Sequence, residues 1–351
     1  MLYYYALESK IIKKTVHSFE IYRLKFTTFA SNFIKTFSMA LENIEKEVRG
    51  KITFKKCIPF IVLHLLPLGM IWTGATFFDW MICIALYFGR MFFITAGYHR
   101  YFAHKSFETS RWFQFFLAFM AQTSIQKGVL WWAANHRGHH LTSDTPQDPH
   151  SMKVYGFLYS HMGWFLGPDY NETKFDNIKE FSKFKELVWL NRRYGVPPVV
   201  LALVVMMFGG IVNGNGIADM FSNAGLSTLF CGFFFSTILL FHGTYSINSI
   251  MHYFGKQRYN TGDESKNHLL LAFFTMGEGW HNNHHYFQSS AKAGFFWWQL
   301  DMTYYILKVW SWMGLVKNLR GVPDAVRYST DREDILKLQK DPDELASRKK
   351  K

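Results

Sequence analysis

Long runs of apolar residues, separated by short polar turns, dominate the pattern along the chain. Residues 57–78, 194–218 and 220–255 contain no Asp, Glu, Lys or Arg, and residues 80–98 contain only Arg90. A helix needs about 20 apolar residues to cross the hydrocarbon core of a bilayer. The pattern therefore predicts an all-α integral membrane protein with four transmembrane helices in two hairpins, over residues 57–76, 80–98, 196–212 and 226–247.

The basic residues fix the expected orientation of these helices. Of the 39 Lys and Arg residues, 11 lie in residues 1–56, 12 in residues 97–195 and 15 in residues 248–351, while the two hairpin turns contain none. By the positive-inside rule, both termini and the 97–195 segment face the cytoplasm. We expect a basic N-terminal extension over residues 1–55, a membrane domain with a cytoplasmic helical cap over 56–320, and a charged C-terminal tail over 321–351.

Composition and charge narrow the class of protein further. Hydrophobic residues make up 49% of the chain and charged residues 19%, which excludes a disordered chain and a coiled-coil rod. The net charge of +13 is compatible with nucleic acid or with a membrane surface as the partner. The sequence has no helix-turn-helix, zinc-finger or RNP-like pattern, so membrane lipid is the expected partner and nucleic acid is not.

Histidines carry the candidate chemistry. Nine of the 15 histidines fall into a few tight groups, two of which have the spacing H-x-x-H-H. On a helix, positions i, i+3 and i+4 share a face, so each of these groups presents three imidazoles on one stripe, and Asn248 shares a face with the histidine four residues later. The nine residues, all on one predicted side of the membrane, are His99, His104, His136, His139, His140, His252, His281, His284 and His285.

The number of imidazoles predicts a centre of two metal ions in the cap. Nine ligands are too many for one zinc ion, which usually takes four, but they suit two ions with four or five nitrogen ligands each. Imidazole binds Fe, Zn, Cu and Ni, so the spacing alone does not name the metal. Outside the groups, His64 and His242 lie in apolar stretches and are expected to be hydrogen-bonded core residues. No role is assigned to His17, His150, His161 and His268.

The segments around these histidines resemble the membrane fatty-acid desaturases, specifically the stearoyl-CoA (Δ9 acyl-CoA) type. The resemblance covers roughly residues 55–320 and rests on GRMFFITAGYHRYFAH, WWAANHRGHHLTSDTPQDPHS, NSIMH and TMGEGWHNNHH. It implies that the nine histidines bind two iron ions and that Asn248 supports the centre through a bound water. Tyr286, Phe287 and Gln288 depart from the family, which often has a proline soon after the third histidine box.

The resemblance also implies the reaction and its co-substrates. The chain would insert a cis double bond, most simply at Δ9, into a long-chain acyl-CoA or acyl-lipid, using O2 and two electrons. No His-Pro-Gly-Gly haem motif is present, so an external donor such as cytochrome b5 or a ferredoxin is expected, and a bacterial inner membrane is favoured over the endoplasmic reticulum. An unactivated C–H bond offers nothing to acid–base side chains, so no catalytic residue is expected beyond the metal centre.

Two sets of neighbouring residues are candidates for supporting roles. Glu278, Asp144 and Asp148 are close in sequence to the histidine groups and can accept the second ring N–H of a ligand, or can equally cap turns. A set of aromatic residues can line a tunnel for the acyl chain, although plain core packing is the default for such residues. They are Trp131, Trp132, Phe115, Phe116 and Phe119.

Two other functions are weighed against the desaturase. A di-iron hydroxylase of lipid or alkane chains uses the same oxidant, and product analysis separates the two. A membrane protein that binds or transports metal would carry ionisable residues through its spans as a pathway. Only Arg90, His64 and His242 lie inside the predicted spans, which argues against transport.

Overall fold

The structure of the protein is a computed structural model that describes residues 54–167 and 170–329. The predicted N-terminal extension and most of the predicted tail lie outside these residues. Within them the chain is mainly helical. In chain order the α-helices are α1 (Phe54–Leu65), α2 (Met70–Thr73), α3 (Phe77–Phe93), α4 (Arg111–Gln122), α5 (Val129–Thr142), α6 (Met152–Leu158), α7 (Lys179–Ser182), α8 (Lys185–Arg192), α9 (Val196–Asn213), α10 (Asn223–Thr228), α11 (Ser236–Ser249), α12 (Leu269–Phe274), α13 (His281–Tyr286), α14 (Met302–Trp312) and α15 (Asp324–Tyr328).

Within the described residues, three continuous helices are long and apolar enough to cross a membrane. They are Phe77–Ala103, Val196–Asn213 and Asn223–His252, and they contain the second, third and fourth predicted spans. The first of them continues α3 through a π-helical segment, Ile94–Ala103. The last joins α10 to α11 through a second π-helical segment, Leu229–Phe235.

The segment predicted as the first span is shorter than expected. The apolar helix there, Cys57–Thr73, falls below the length of the other three, and a 3-10 turn at Leu66–Gly69 separates α1 from α2. Proline explains the 3-10 turn, whereas the helix ends at Gly74, which has a positive φ of 70°. Pro59 lies inside α1, and Pro67 opens the 3-10 turn, and proline removes a backbone donor and disrupts the continuation of an α-helix. The absence of charge over 57–78 therefore overestimated the length of this helix.

A buried polar cluster ties the hairpin ends of the spans together. Asp79 is fully buried, and its carboxylate accepts hydrogen bonds from Asn213 (2.8 Å) and Thr228 (2.5 Å). The same carboxylate forms a capping box with Thr76, whose side chain accepts from the Asp79 backbone N–H at the start of α3. One acid thus links three apolar helices, because a carboxylate inside a membrane protein must find its donors within the protein.

The shorter helices form a second layer that packs against the long ones. A short antiparallel pair of strands, β1 (Glu108–Thr109) and β2 (Val316–Lys317), fastens the start of this layer to its end, with Glu108 opposite Lys317. Val322 and Val326 are buried together with Tyr259 and Phe295, so the packed structure continues beyond residue 320. Seven of the nine histidines lie outside the long helices, and His99 and His252 lie near the ends of two of them.

Candidate metal centre

The structure brings all nine histidines together as two adjacent groups. In each group the nearest ring nitrogens all lie within 4.8 Å of one another, and the residues are buried or half-buried. The five-histidine group consists of His99, His104, His136, His140 and His284. The four-histidine group consists of His139, His252, His281 and His285.

The two H-x-x-H-H segments divide their side chains between the groups in a reciprocal way. On α5, His136 and His140 belong to the five-histidine group, whereas His139 belongs to the four-histidine group. Helix α13 does the reverse: His281 and His285 belong to the four-histidine group, and its middle residue belongs to the other. Residues i and i+4 are closest in angle on a helix, while i+3 lies on the other side of position i, so each helix serves two neighbouring sites.

A π-helical segment brings His99 and His104 to the same side of their helix. On a continuous α-helix His99 and His104 would point about 140° apart. Here the backbone N–H of His104 bonds to the carbonyl of His99, five residues earlier, and the two ring centroids are 4.7 Å apart. The i+5 bonding of a π-helix adds one residue to the turn and returns both side chains to the same face, and such segments are frequent at functional sites.

The inward-facing ring nitrogens form a tight array of Nε2 atoms. In the five-histidine group, Nε2–Nε2 distances are 2.9 Å for His99 to His284 and 3.0 Å for both His104 and His140 to His136. In the four-histidine group, the Nε2 atoms of His252 and His281 are 3.0 Å apart. The Nε2 atom of His285 is buried without a hydrogen-bond partner in the described part of the chain. Converging lone pairs of this kind suit a cation.

Four carboxylates contact the outer nitrogens of four of these rings. The Nδ1 atoms lie 2.9 Å from Glu278 at His99, 3.0 Å from Asp148 at His139, 2.9 Å from Asp144 at His252 and 2.7 Å from Asp263 at His285. A carboxylate that accepts from Nδ1–H leaves Nε2 with its lone pair for a metal. Contacts by the three carboxylates proposed from sequence are thus confirmed. Asp263 was missed, because it lies in a polar turn 22 residues from its histidine.

Burial and neighbouring charges favour neutral imidazoles and ionised carboxylates at this site. Burial, followed by the neighbouring histidines, lowers the pKa of His104, His136, His140, His281 and His284 well below the ordinary value. Burial alone would raise the pKa of Glu278, but the His99 ring and Arg100 outweigh it and lower that pKa to about 2. His139 is an exception, because Asp148 outweighs burial and raises its pKa. Neutral imidazoles backed by ionised carboxylates are the donor set that a divalent metal requires.

Glu278 is itself held by a buried charge network. Arg100 donates to Glu278 (2.9 Å), lies 3.0 Å from Asp301, and donates to the carbonyl of Ala291 (2.7 Å). All three side chains are buried. The network joins the π-helical segment to the start of α14 and fixes the carboxylate beside His99.

Asn248 lies outside both histidine groups. It lines an adjacent cavity of about 500 Å³, and its backbone carbonyl accepts a hydrogen bond from Ser160. Trp131 and Trp132, proposed as tunnel residues, also line this cavity. Phe115, Phe116 and Phe119 do not; they pack against the core, as their default assignment predicted.

One histidine that sequence spacing left without a role also lies at this site, and one that was expected in the core is exposed. His150 is buried, stacks on His139 with ring centroids 4.3 Å apart, and lines the cavity together with His136. Its spacing from the boxes gives no signal, because a turn brings it back. His242, expected in the core, is instead exposed on the surface of α11, where it contacts His64 and His161.

Comparison with known proteins gives one family. The family model described as "Fatty acid desaturase" matches residues 75–310. The chain is 33% identical to the acyl-CoA C20 Delta5-desaturase of Anemone leveillei, over 80% of this chain and 88% of that protein. It is 31% identical to the sn-2 palmitoyl-lipid 9-desaturase of Nostoc sp. (strain 36), over 75% and 89%, and 34% identical to the sn-1 stearoyl-lipid 9-desaturase of Anabaena variabilis, over 65% and 78%. The chain therefore belongs to the fatty acid desaturase family of oxidoreductases.

Proposed function

We propose that this chain is an O2-dependent desaturase that inserts a cis double bond at Δ9 of a long acyl chain carried by CoA or a lipid. The nine histidines would hold two iron ions, five imidazoles at one and four at the other, and Asn248 would support the centre from the cavity side. The observation that carries the proposal is the shared wall: His136, a member of the five-histidine group, also lines the adjacent cavity. A reacting chain in this cavity would lie beside the metal centre.

The cavity suits an acyl chain. Its volume of about 500 Å³ lies within the range of small-molecule sites, and its wall is mainly apolar, with Phe60, Leu63, Phe165 and Phe241 among its residues. Lys127 is the single charged residue in the described lining. An apolar wall reduces the amount of water beside the reacting methylene groups.

A chain of hydrogen bonds fixes the wall nearest the histidines. The indole N–H of Trp132 donates to Gln126 (3.3 Å), and the Gln126 amide donates to Thr244 (3.0 Å) on α11. The Trp132 ring lies against His136, with ring centroids 4.9 Å apart and an angle of 21°. These residues would position one pair of methylene groups, because the distance from the wall to His136 is set by buried side chains.

The reaction needs an oxidant that side chains do not supply. When bound, the two irons would use O2, two electrons and two protons to remove two hydrogens from adjacent methylene groups, giving the alkene and two molecules of water. The contribution of the chain is to hold neutral imidazoles, keep their Nδ1–H groups on carboxylates and hold the acyl chain dry beside them. The electrons would come from a separate protein such as cytochrome b5 or a ferredoxin.

The proposed topology places this site at the cytoplasmic face. We propose four spans, with α1 and α2 together supplying the first, both termini in the cytoplasm, and the helical cap on that side of a bacterial inner membrane. The distribution of Lys and Arg supports this orientation. Tagging each terminus for protease protection in membrane vesicles tests it.

Lipid mass spectrometry of cells expressing the chain tests the function, with double bonds located by derivatisation. New cis-monounsaturated chains that are absent from a His284→Ala control establish the desaturase and give its position. Double bonds at Δ5 or Δ7 would refute the Δ9 assignment. Hydroxylated chains would replace the proposal with the hydroxylase, and unchanged lipids in a cell with iron and a working donor would refute both.

A further inference from the structure

In the described part of the chain, α1 has the cavity on one side and the outside of the protein on the other. Pro59, Phe60 and Leu63 of α1 line the cavity, whereas Ile58, Ile61, Val62 and Leu65 are 41–54% exposed. At about 100° per residue, these two sets lie on opposite faces of the same helix. In a membrane the exposed apolar face contacts lipid, so the wall of the cavity here is one helix thick.

The edge of this wall is a seam between α1 and α11. On the cavity side of the seam, the rings of Phe60 and Phe241 stack with centroids 6.2 Å apart, and both residues line the cavity. On the bilayer side, the Nε2 atoms of His64 and His242 are 3.3 Å apart. Leu239, one turn before His242, is 43% exposed, which marks this face of α11 as the lipid-facing one.

A chain of three imidazoles closes the seam. His64 Nδ1 lies 2.7 Å from the carbonyl of Phe60 and must donate to it, so its Nε2 accepts from His242 Nε2–H. His242 Nδ1 then accepts from His161 Nε2–H at 3.0 Å. The last nitrogen, His161 Nδ1, lies 2.8 Å from the Ser249 hydroxyl, which can donate. One set of neutral tautomers satisfies the contacts of all three rings when the Ser249 hydroxyl turns from the carbonyl of Tyr245, 3.1 Å away, to His161.

These histidines are out of place for a purely structural role. Ionisable residues within membrane spans carry a free-energy cost and generally mark functional paths. A leucine pair would seal a permanent wall between two helices more cheaply than two imidazoles facing lipid. A hydrogen bond between side chains, in contrast, can open and re-form without leaving a cavity. The helix on one side of the seam is also weakened, because Pro59 removes one of its backbone hydrogen bonds.

We propose that the acyl chain passes between the bilayer and the cavity sideways, through this seam, with His64 and His242 as the pair that opens and closes it. This inference rests on the proposed function and narrows its substrate class to a membrane-resident acyl lipid. The tail of such a lipid can slide between two helices while its headgroup stays at the membrane surface. Substrate capture and product release then use the same path.

Cross-linking across the seam tests the proposal. Cys57, Cys83 and Cys231, the three cysteines of the chain, are first replaced by alanine. His64→Cys and His242→Cys are then introduced together, and each alone as the matched control. The protein is equilibrated without O2 in nanodiscs of phosphatidylglycerol with ordinary stearoyl and palmitoyl chains, treated with a short bismaleimide, and transferred to nanodiscs of the same lipid with deuterated chains. Electron donor and O2 start the reaction.

The cross-linked double variant should convert up to one ordinary chain per protein, the chain that it held when it was cross-linked. It should form deuterated product at least tenfold more slowly than either single variant treated in the same way. Iron content should be equal in all three. Undiminished turnover of deuterated lipid in the cross-linked protein would overturn the proposal, because the chain would then have another path. Loss of the single ordinary turnover would overturn it too, since the seam would then be part of the metal site. Failure of the proposed function shows separately, as absence of product in the double variant that receives electron donor and O2 without the cross-linker.

Discussion

Replacing Asp263 by asparagine is the sharpest test of how the carboxylates act on the metal centre. The Asp263 side chain accepts from His285 Nδ1 (2.7 Å) through one oxygen and from the hydroxyls of Thr261 and Ser265 (each 2.6 Å) through the other. Asparagine keeps the shape but turns one acceptor into a donor. If its NH2 faces His285, the ring must carry its proton on Nε2, the nitrogen that points into the four-histidine group.

The expected loss follows from these contacts. Rotating the amide the other way restores the bond to His285 but leaves the NH2 facing two hydroxyls and a backbone N–H of Ser265, so a buried donor goes unsatisfied at a cost of about 1–3 kcal/mol. Loss of a residue that orients a metal ligand typically lowers metal affinity about 10–100-fold. That range corresponds to about 1.4–2.7 kcal/mol, in agreement with the cost of the mismatched hydrogen bonds.

The assay is an equilibrium competition for Fe2+ with a coloured chelator, on purified protein in detergent. Asp263→Asn should release one of its two irons at a chelator concentration about 10–100 times lower than the parent requires, while the second iron stays bound. Asp176→Asn is the matched control, because Asp176 is exposed and pairs only with Lys179 on the surface. Release of both irons together, or of neither, would refute the assignment of Asp263 to one metal site.

Three further variants test other parts of the structure. His284→Ala should abolish product and lower bound iron while the protein stays in the membrane; full activity would exclude His284 from the centre. Asp79→Ala should lower the free energy of unfolding by about 1–3 kcal/mol, because it leaves the donors of Asn213 and Thr228 unpaired. Metal analysis should find its iron content unchanged. Trp132→Ala should spread the double bond over several positions, and a single unchanged position by mass spectrometry would show that this ring does not position the chain.

The sequence predicted which histidines come together because the spacing of residues along a helix is local information. Spacing predicts three imidazoles on one side of a helix, and the charge distribution predicts all groups on one side of the membrane. The same reasoning did not predict that the histidines divide into a group of five and a group of four. His139 and His140 are neighbours in sequence yet belong to different groups, and which ring faces which group depends on how α5 packs against α13. The π-helical turn at His99 was equally hidden, since its hydrogen bonds are fixed by the contacts of the whole segment.

The errors at α1 have a physical cause as well. Absence of charge predicts that a segment tolerates lipid, but it does not measure helix length. This helix ends at Gly74, which has a positive φ, and Pro67 lies in the 3-10 turn inside it. His64 was expected to be a hydrogen-bonded core residue because histidine in an apolar stretch usually finds a buried partner. It does find a partner, yet the partner, His242, is exposed. Hydrogen bonding and burial are separate properties, and only tertiary structure tells which of the two a polar residue has.

The short first helix and the reciprocal histidine boxes together suggest how the protein separates rigidity from movement. The metal centre is built from helices that share ligands, because α5 and α13 each serve both groups, so neither group can shift without the other. The carboxylates and Arg100 brace it further from the outside. On another side of the cavity the wall contains α1, which contacts α11 through the Phe60–Phe241 stack and the His64–His242 pair. The proposed function, in which two ions stay fixed while acyl chains enter and leave, would need this asymmetry, with rigid elements at the histidines and weaker contacts on the face proposed to meet lipid.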